Sequence, residues 1–272
     1  MAAELQLSNP AGDDEASPPV GFMAVCILAF AVGVWGTVYF CRSMCCELEM
    51  PGGWTMSMMW MRMRGQTWAG SAVSFLLMWL AMMVAMMLPS AVPTFLHTKR
   101  ESRSLSVMAA GYFAIWLAAG VALYLMGVVF SAAVTHSEIF SRAIPVLSGA
   151  ALILGGAIQL THWKISRLLR CRSPFGCVTS CPDDDADFRL GCKQGAACCA
   201  CCAAPMMIQL VLGIMNPFVM IVVALVIAAE KLLPRPAIVA RLVGIATIIG
   251  GMAYEAVLIC KASGFWHLWV CE

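Results

Sequence analysis

The sequence predicts an all-α, polytopic transmembrane helical bundle of about six spans, and three observations carry that expectation. Of its 272 residues 61% are hydrophobic and only 12% charged, where soluble chains carry roughly 25% charged residues. The mean hydropathy is +0.85. The 17 basic and 15 acidic residues fall in short clusters between long uncharged stretches, several of which reach the roughly 20 apolar residues that a helix needs to cross a bilayer. This composition excludes soluble enzyme folds, a disordered chain and a nucleic-acid binder. A net charge of +2 points to no partner beyond the lipid bilayer.

Residues 1–19 form a polar tail in which Glu4, Asp13, Asp14 and Glu15 leave no basic n-region, so the first apolar stretch, 20–41, reads as a retained span rather than a cleaved signal peptide. The second span, 68–96, is uncharged and closes on Lys99, Arg100 and Arg103. The third covers 107–135. The fourth, 144–163, lies between Arg142 and Lys164. Next comes an uncharged stretch of 36 residues, 194–229, about 54 Å long as one helix. Its Cys-rich start is therefore expected outside the hydrocarbon, with the fifth span over 202–229. The sixth, 238–260, carries Arg241 and Glu255 near its ends. Residues 20–262 thus read as one transmembrane domain, followed by a tail over 263–272.

Two connections are long. Residues 42–67 read as a Met-rich interfacial stretch, and 164–201 as a Cys-rich loop with the acidic run Asp183, Asp184, Asp185 and Asp187. Six spans put both termini on one side, together with the loops after the second and fourth spans. That side holds ten Lys or Arg against seven opposite, a bias toward the cytoplasm.

Sulfur is the chemical signal, since 14 Cys and 21 Met make up about an eighth of the chain. Cys198, Cys199, Cys201 and Cys202 place four thiols in five residues. Spacings of three and four put Cys198 on one helix face with Cys201 and Cys202, and Met206 follows Cys202 by four. Pro205 suits a first helical turn, so the thiols are expected at a helix N-terminus, where the dipole favours thiolate. Upstream lie Cys171, Cys177, Cys181 and Cys192. Cys26, Cys41 and Cys260 read as small apolar residues of the spans.

In the second span Met82 and Met86, and Met83 and Met87, are pairs four apart, so thioethers line one side of the helix. Such a stripe serves packing as well as ligation. Thiolates and thioethers together select Cu(I), and thioethers are poor ligands for zinc. Asn216-Pro217 marks a break within the fifth span. Glu230-Lys231 reads as an interfacial charge pair, and Glu255 as a snorkelling carboxylate or, if buried, an ion site. His97, His136, His162 and His267 fall near segment ends without ligand spacing, although His162 shares a loop side with Cys171.

The blocks Ala85-Met86-Met87-Leu88-Pro89-Ser90, Cys171-Arg172-Ser173-Pro174, Cys198-x-x-Cys201-Cys202, Gly213-Ile214-Met215-Asn216 and Glu230-Lys231 follow in that order. In these the chain resembles, over about residues 70–235, the bacterial family described as predicted metal-binding integral membrane proteins. The resemblance implies a polytopic inner-membrane protein, often labelled a copper chaperone, with no enzymatic reaction. It implies metal ligands at Cys171, Cys198, Cys201 and Cys202, with Met82, Met83, Met86 and Met87 as membrane thioethers. The chain departs from the pattern at Arg167, where the family commonly has a Cys, at Gln194-Gly195, where it usually has His-Gly, and at Ala203, where it commonly has Trp. Cys177, Cys181, Cys192 and Cys199 are available substitutes.

Three functions follow from this reading. The first is a membrane protein that binds Cu(I) and passes it on, to a copper carrier or a membrane cuproenzyme. The second is a thiol-disulfide oxidoreductase using Cys198 and Cys201, whose C-x-x-C spacing suits exchange, although the chain has no thioredoxin-like domain. The third is a structural subunit of a homo- or hetero-oligomeric membrane complex in which sulfur is incidental.

Overall fold

Apolar residues spread around every face leave a helix with no polar side to turn to water, and most of the helices of this chain are of that kind. The computed structural model describes residues 20–43, 47–57, 60, 65–96, 102–172 and 184–262. In order, α1 (Val20–Ser43) is followed by a small antiparallel hairpin, β1 (Glu47–Met50) and β2 (Trp54–Ser57). Then come α2 (Trp68–Leu96), α3 (Ser102–His136), α4 (Glu138–Leu160), α5 (His162–Arg172), α6 (Asp184–Gly213), α7 (Pro217–Leu232) and α8 (Pro236–Ala262). Six of them, α1 to α4, α6 and α8, are long and apolar enough to cross a membrane.

Side-chain contacts set the direction of each helix. Phe22 of α1 meets Phe95 of α2, and Phe95 meets Tyr112 of α3. Farther along, Phe75 meets Tyr124, and the Trp79 indole donates to the Trp116 carbonyl at 2.8 Å. The pairs α1/α2 and α2/α3 are therefore antiparallel. α6 runs parallel to α3, with Asp187 beside Ser104 and Cys198 beside Tyr112. α8 runs antiparallel to α4, with Gly244 against Gly156 and Glu255 against Gly149. The core sits on α2, whose Phe75, Met78, Trp79, Met82, Met83, Met86, Met87 and Phe95 are all buried.

Several sequence expectations change here. The region read as a Cys-rich loop is largely helical: α5 occupies His162–Arg172, and α6 begins at Asp184. Asp184, Asp185 and Asp187 stand in the first turn of α6, where carboxylates complement the positive helix end. In place of one span over 202–229 there is a helical hairpin. α6 stops at Gly213, whose φ of +112° closes the turn in a conformation that suits glycine. Asn216 then caps α7 by accepting from the Phe218 and Val219 amides, with Pro217 at the first helical position. Asn216-Pro217 thus starts a new helix rather than kinking an old one.

α7 returns along α6 and places Lys231 beside Cys198. As a result α8 starts at the same end as α3 and finishes at the other, so the first helix begins and the last one ends at opposite ends of the bundle. This replaces the expectation of both on one side. The stretch read as interfacial contains the β-hairpin, which buries Met50 and Met56 against Val134 and Ile144. Its Trp54 indole donates to the Ser141 carbonyl at 3.0 Å. The hairpin therefore caps the end of the bundle away from Cys198.

Close approach of α6 to α3 depends on Gly195, because a Cβ there would stand 2.7 Å from the Tyr112 carbonyl oxygen. Gly195→Ala is expected to cost about 1–3 kcal/mol through overpacking, measured by denaturant unfolding in detergent. Gly250→Ala, where a Cβ meets nothing within 4 Å, is the control and should be near neutral.

Candidate metal centre

Spacings of three and four along α6 bring Cys198, Cys201 and Cys202 to one face, and that face is inward: the three are 0%, 1% and 1% exposed. The Cys202 sulfur lies 3.9 Å from that of Cys198 and 3.6 Å from that of Cys201. α5 adds Cys171 from its last turn, held where the Gln194 amide donates to the Cys171 carbonyl at 2.9 Å. The sulfurs of Cys171, Cys198 and Cys201 all lie within 4.8 Å of one another. With a metal–thiolate bond of about 2.3 Å, a trigonal three-sulfur site needs sulfurs about 4.0 Å apart. The three thiols fit that geometry.

These thiols are not at a helix N-terminus. α6 starts at Asp184 and Pro205 lies inside it, so the end-of-helix dipole, which fades within the first turn, does not act on them. Positive charge arrives from α7 instead. The Lys231 ammonium lies 2.9 Å from the Cys198 sulfur and 3.3 Å from the Ser90 hydroxyl. The Tyr112 hydroxyl also donates to the Cys198 sulfur, at 2.9 Å. At Cys171 the hydrogen bond to Cys198 comes first, with burial adding to it, and the thiol is pushed up to about 12. A metal ion binding there displaces a proton.

Pro205 has a structural consequence at the same place. Lacking an N–H, it leaves the carbonyl four residues earlier, that of Cys201, without its helical partner. The Lys164 ammonium fills the vacancy at 2.5 Å. Lys164 is 1% exposed and is neutralised by Glu230 at 2.7 Å, whose other oxygen accepts from the Gln159 amide at 2.8 Å. Glu230 and Lys231 are therefore not an interfacial pair. Both are buried and they point apart, Glu230 to Lys164 and Lys231 to Cys198. Arg172 closes the end of α7 by donating to the carbonyls of Glu230 and Leu233.

The Met stripe enters the same continuous core as the thiols. Met82, Met83, Met86 and Met87 are all buried, as is Met206 on α6. The Met82 sulfur accepts from the Gln209 amide at 3.5 Å. Of the substitutes, Cys192 directs its sulfur to the Gly111 carbonyl, Cys199 is half-buried, and Cys177 and Cys181 lie outside the described residues. His162 is exposed and does not join the centre; Arg167 stacks on the Trp163 ring. Glu255 belongs to the α4–α8 contact, with Oε1 buried and without a hydrogen-bond partner among the described residues. Sequence reasoning gave Tyr112 and Lys164 no place at the centre and read Lys231 as half of an interfacial pair. For the two lysines the available signal was a charge bordering a long uncharged stretch.

Removing one member of a buried ion pair strands the other, at about 3–5 kcal/mol. Lys164→Met is expected to destabilise the protein by that amount in detergent unfolding. The double change Lys164→Met/Glu230→Met should recover most of the loss. The remainder reports the open Cys201 carbonyl, and a double variant no more stable than the single one would remove the ion pair from this account.

The family model described as copper chaperone, PpoB2, matches residues 76–254. That stretch holds the four thiols, the Met stripe, Tyr112, Lys164, Glu230 and Lys231. No curated protein and no solved structure matches the chain. Covering well over half of the sequence with the whole centre inside the match, this similarity shows that the chain belongs to the PpoB2 copper chaperone family.

Proposed function

We propose that the protein is an integral membrane carrier, in the bacterial inner membrane, that binds Cu(I) at Cys171, Cys198 and Cys201 and hands it on. Cys202 adjoins as a fourth sulfur. The observation that carries this reading is three buried thiols within 4.8 Å of one another, a set of soft donors that selects Cu(I) over hard cations. Met82, Met83, Met86, Met87 and Met206 continue the sulfur into the core, and thioethers favour Cu(I) over zinc. They are proposed as a relay toward an acceptor, a copper carrier or membrane cuproenzyme. Thiol–disulfide exchange would use Cys198 and Cys201 alone and leave Cys171 and the thioethers without a role, so the sulfur set favours a metal site over that chemistry.

The test is Cu(I) content of anaerobically purified protein. Cys201→Ser is expected to lose most bound Cu(I), because oxygen does not replace a soft ligand well, while Cys26→Ser retains it. Met86→Leu/Met87→Leu should keep the fold, since such swaps usually cost under about 1.5 kcal/mol, and keep the bound copper, yet slow its transfer to an acceptor. Equal retention in Cys201→Ser and Cys26→Ser would refute the site. Transfer at the wild-type rate would reduce the stripe to packing.

The helix directions sharpen orientation. With α8 reversed, Lys231, Arg235 and Arg241 join the thiol end and Lys261 leaves it, so ten against seven basic residues becomes twelve against five. The positive-inside rule then favours a cytoplasmic thiol end. Single Cys residues introduced beside Val20 and beside Lys261, in a Cys-depleted background, should label with an impermeant maleimide from opposite faces of the membrane. Labelling of both from one face would refute this topology.

A further inference from the structure

A cavity of about 270 Å³ reaches the thiol centre, and Cys171 and Cys198 stand in its wall while Cys201 and Cys202 do not. Leu232, in its wall, is 50% exposed. The cavity volume lies just below the roughly 300–1,000 Å³ of drug-sized pockets, so it takes a small ligand or one arm of a larger one. Its charge is one-sided. Arg172 and Lys231 line it, and among the described residues no Asp or Glu does. The adjacent carboxylate, Glu230, is turned away and occupied by Lys164 and Gln159. Ser90, Thr94 and Gln194 supply further polar groups, and Oε1 of Gln194, itself 6% exposed, is buried without a hydrogen-bond partner.

We propose that this cavity receives copper as an anion: a cuprous complex of a small thiol that carries a carboxylate. The inference rests on the Cu(I)-carrier reading and names the form in which the cargo arrives. Cu(I) held by two thiolates bears one negative charge, and carboxylates on the thiols add more, so the complex matches Arg172 and Lys231, which a bare cuprous cation does not. Cys198 meets it first. Its sulfur forms a bond to copper while one copper–sulfur bond to the carrier thiol breaks; Cys171 and Cys201 then displace the second. Copper stays at +1 throughout. Cys198, which accepts from Lys231 and Tyr112, enters as the thiolate, and the protons that Cys171 and Cys201 give up leave one on each of the two departing carrier thiols. Lys231, beside both the cavity and Cys198, balances the charge that the site gains.

The test follows anaerobic loading of the full-length protein in detergent from two donors, Cu(I)–N-acetylcysteine, which is anionic, and the Cu(I)–acetonitrile cation. Thr94→Glu puts a negative charge on the cavity wall, and Arg172→Gln removes a positive one. Each is expected to slow loading from N-acetylcysteine by at least about tenfold, the lower range for electrostatic focusing in a cleft, and to leave loading from the acetonitrile cation unslowed or faster, because the same change of charge favours a cation. Arg172→Lys should restore most of the rate. Equal slowing from both donors, or no slowing from either, would overturn the anionic route. A wild-type protein that takes copper from neither donor would instead overturn the carrier reading beneath it.

Discussion

Pro205 leaves the Cys201 carbonyl without a helical partner, and in an apolar interior a backbone acceptor in that position must be satisfied by another group. The group that does so is the Lys164 ammonium. A buried ammonium needs a counter-charge, and Glu230 provides it. One missing N–H in α6 thereby ties together the start of α5, the middle of α6 and the end of α7. Cys171, two turns along α5 from Lys164, is brought to the Cys198 and Cys201 sulfurs by the same arrangement. Lys231, next to Glu230 in sequence and opposite to it in direction, reaches Cys198 from the other side.

The thiol centre is consequently held by backbone and charge rather than by sulfur itself. Cys198 accepts from Tyr112 and Lys231, and Cys171 is fixed through its carbonyl by Gln194. None of these contacts uses a metal. A centre pre-organised in this way presents soft donors at nearly the spacing a trigonal ion requires, which lowers the conformational cost of binding. Charge is also close to balance. Lys164 and Glu230 cancel, and Lys231 is left facing the sulfurs, so thiolates can form there without stranding negative charge in an apolar core.

Two of the departures from the pattern that the chain resembles, Gln194 and Arg167, make contacts of their own. The Gln194 amide holds Cys171 in register with α6. Arg167 faces Trp163 on the outer side of α5. Among the described residues the thiols of the centre come from α5 and α6, and the α2 thioethers belong to the same core.

How much of this was legible before folding depends on how far each feature reaches along the chain. The helical class, the apolar spans and the common face of Cys198, Cys201 and Cys202 follow from composition and from spacings of three and four, because a helix places such neighbours together whatever surrounds it. The expectation of a soft metal follows from residue type alone. The same local rules misjudged the loop before Cys198, the placing of Pro205 in a first turn and the exposure of Glu230 and Lys231. A charge at the end of an apolar stretch looks interfacial until the direction of the returning helix is known, and that direction turns on the Gly213–Asn216 turn. Lys231 meets Cys198 across 33 residues of chain only because α7 folds back along α6. Which residues share a helix face was determined by the sequence itself, through the helical period. Which charges face the sulfurs was decided by tertiary structure, where every buried carbonyl and ammonium had to find a partner among helices distant in sequence.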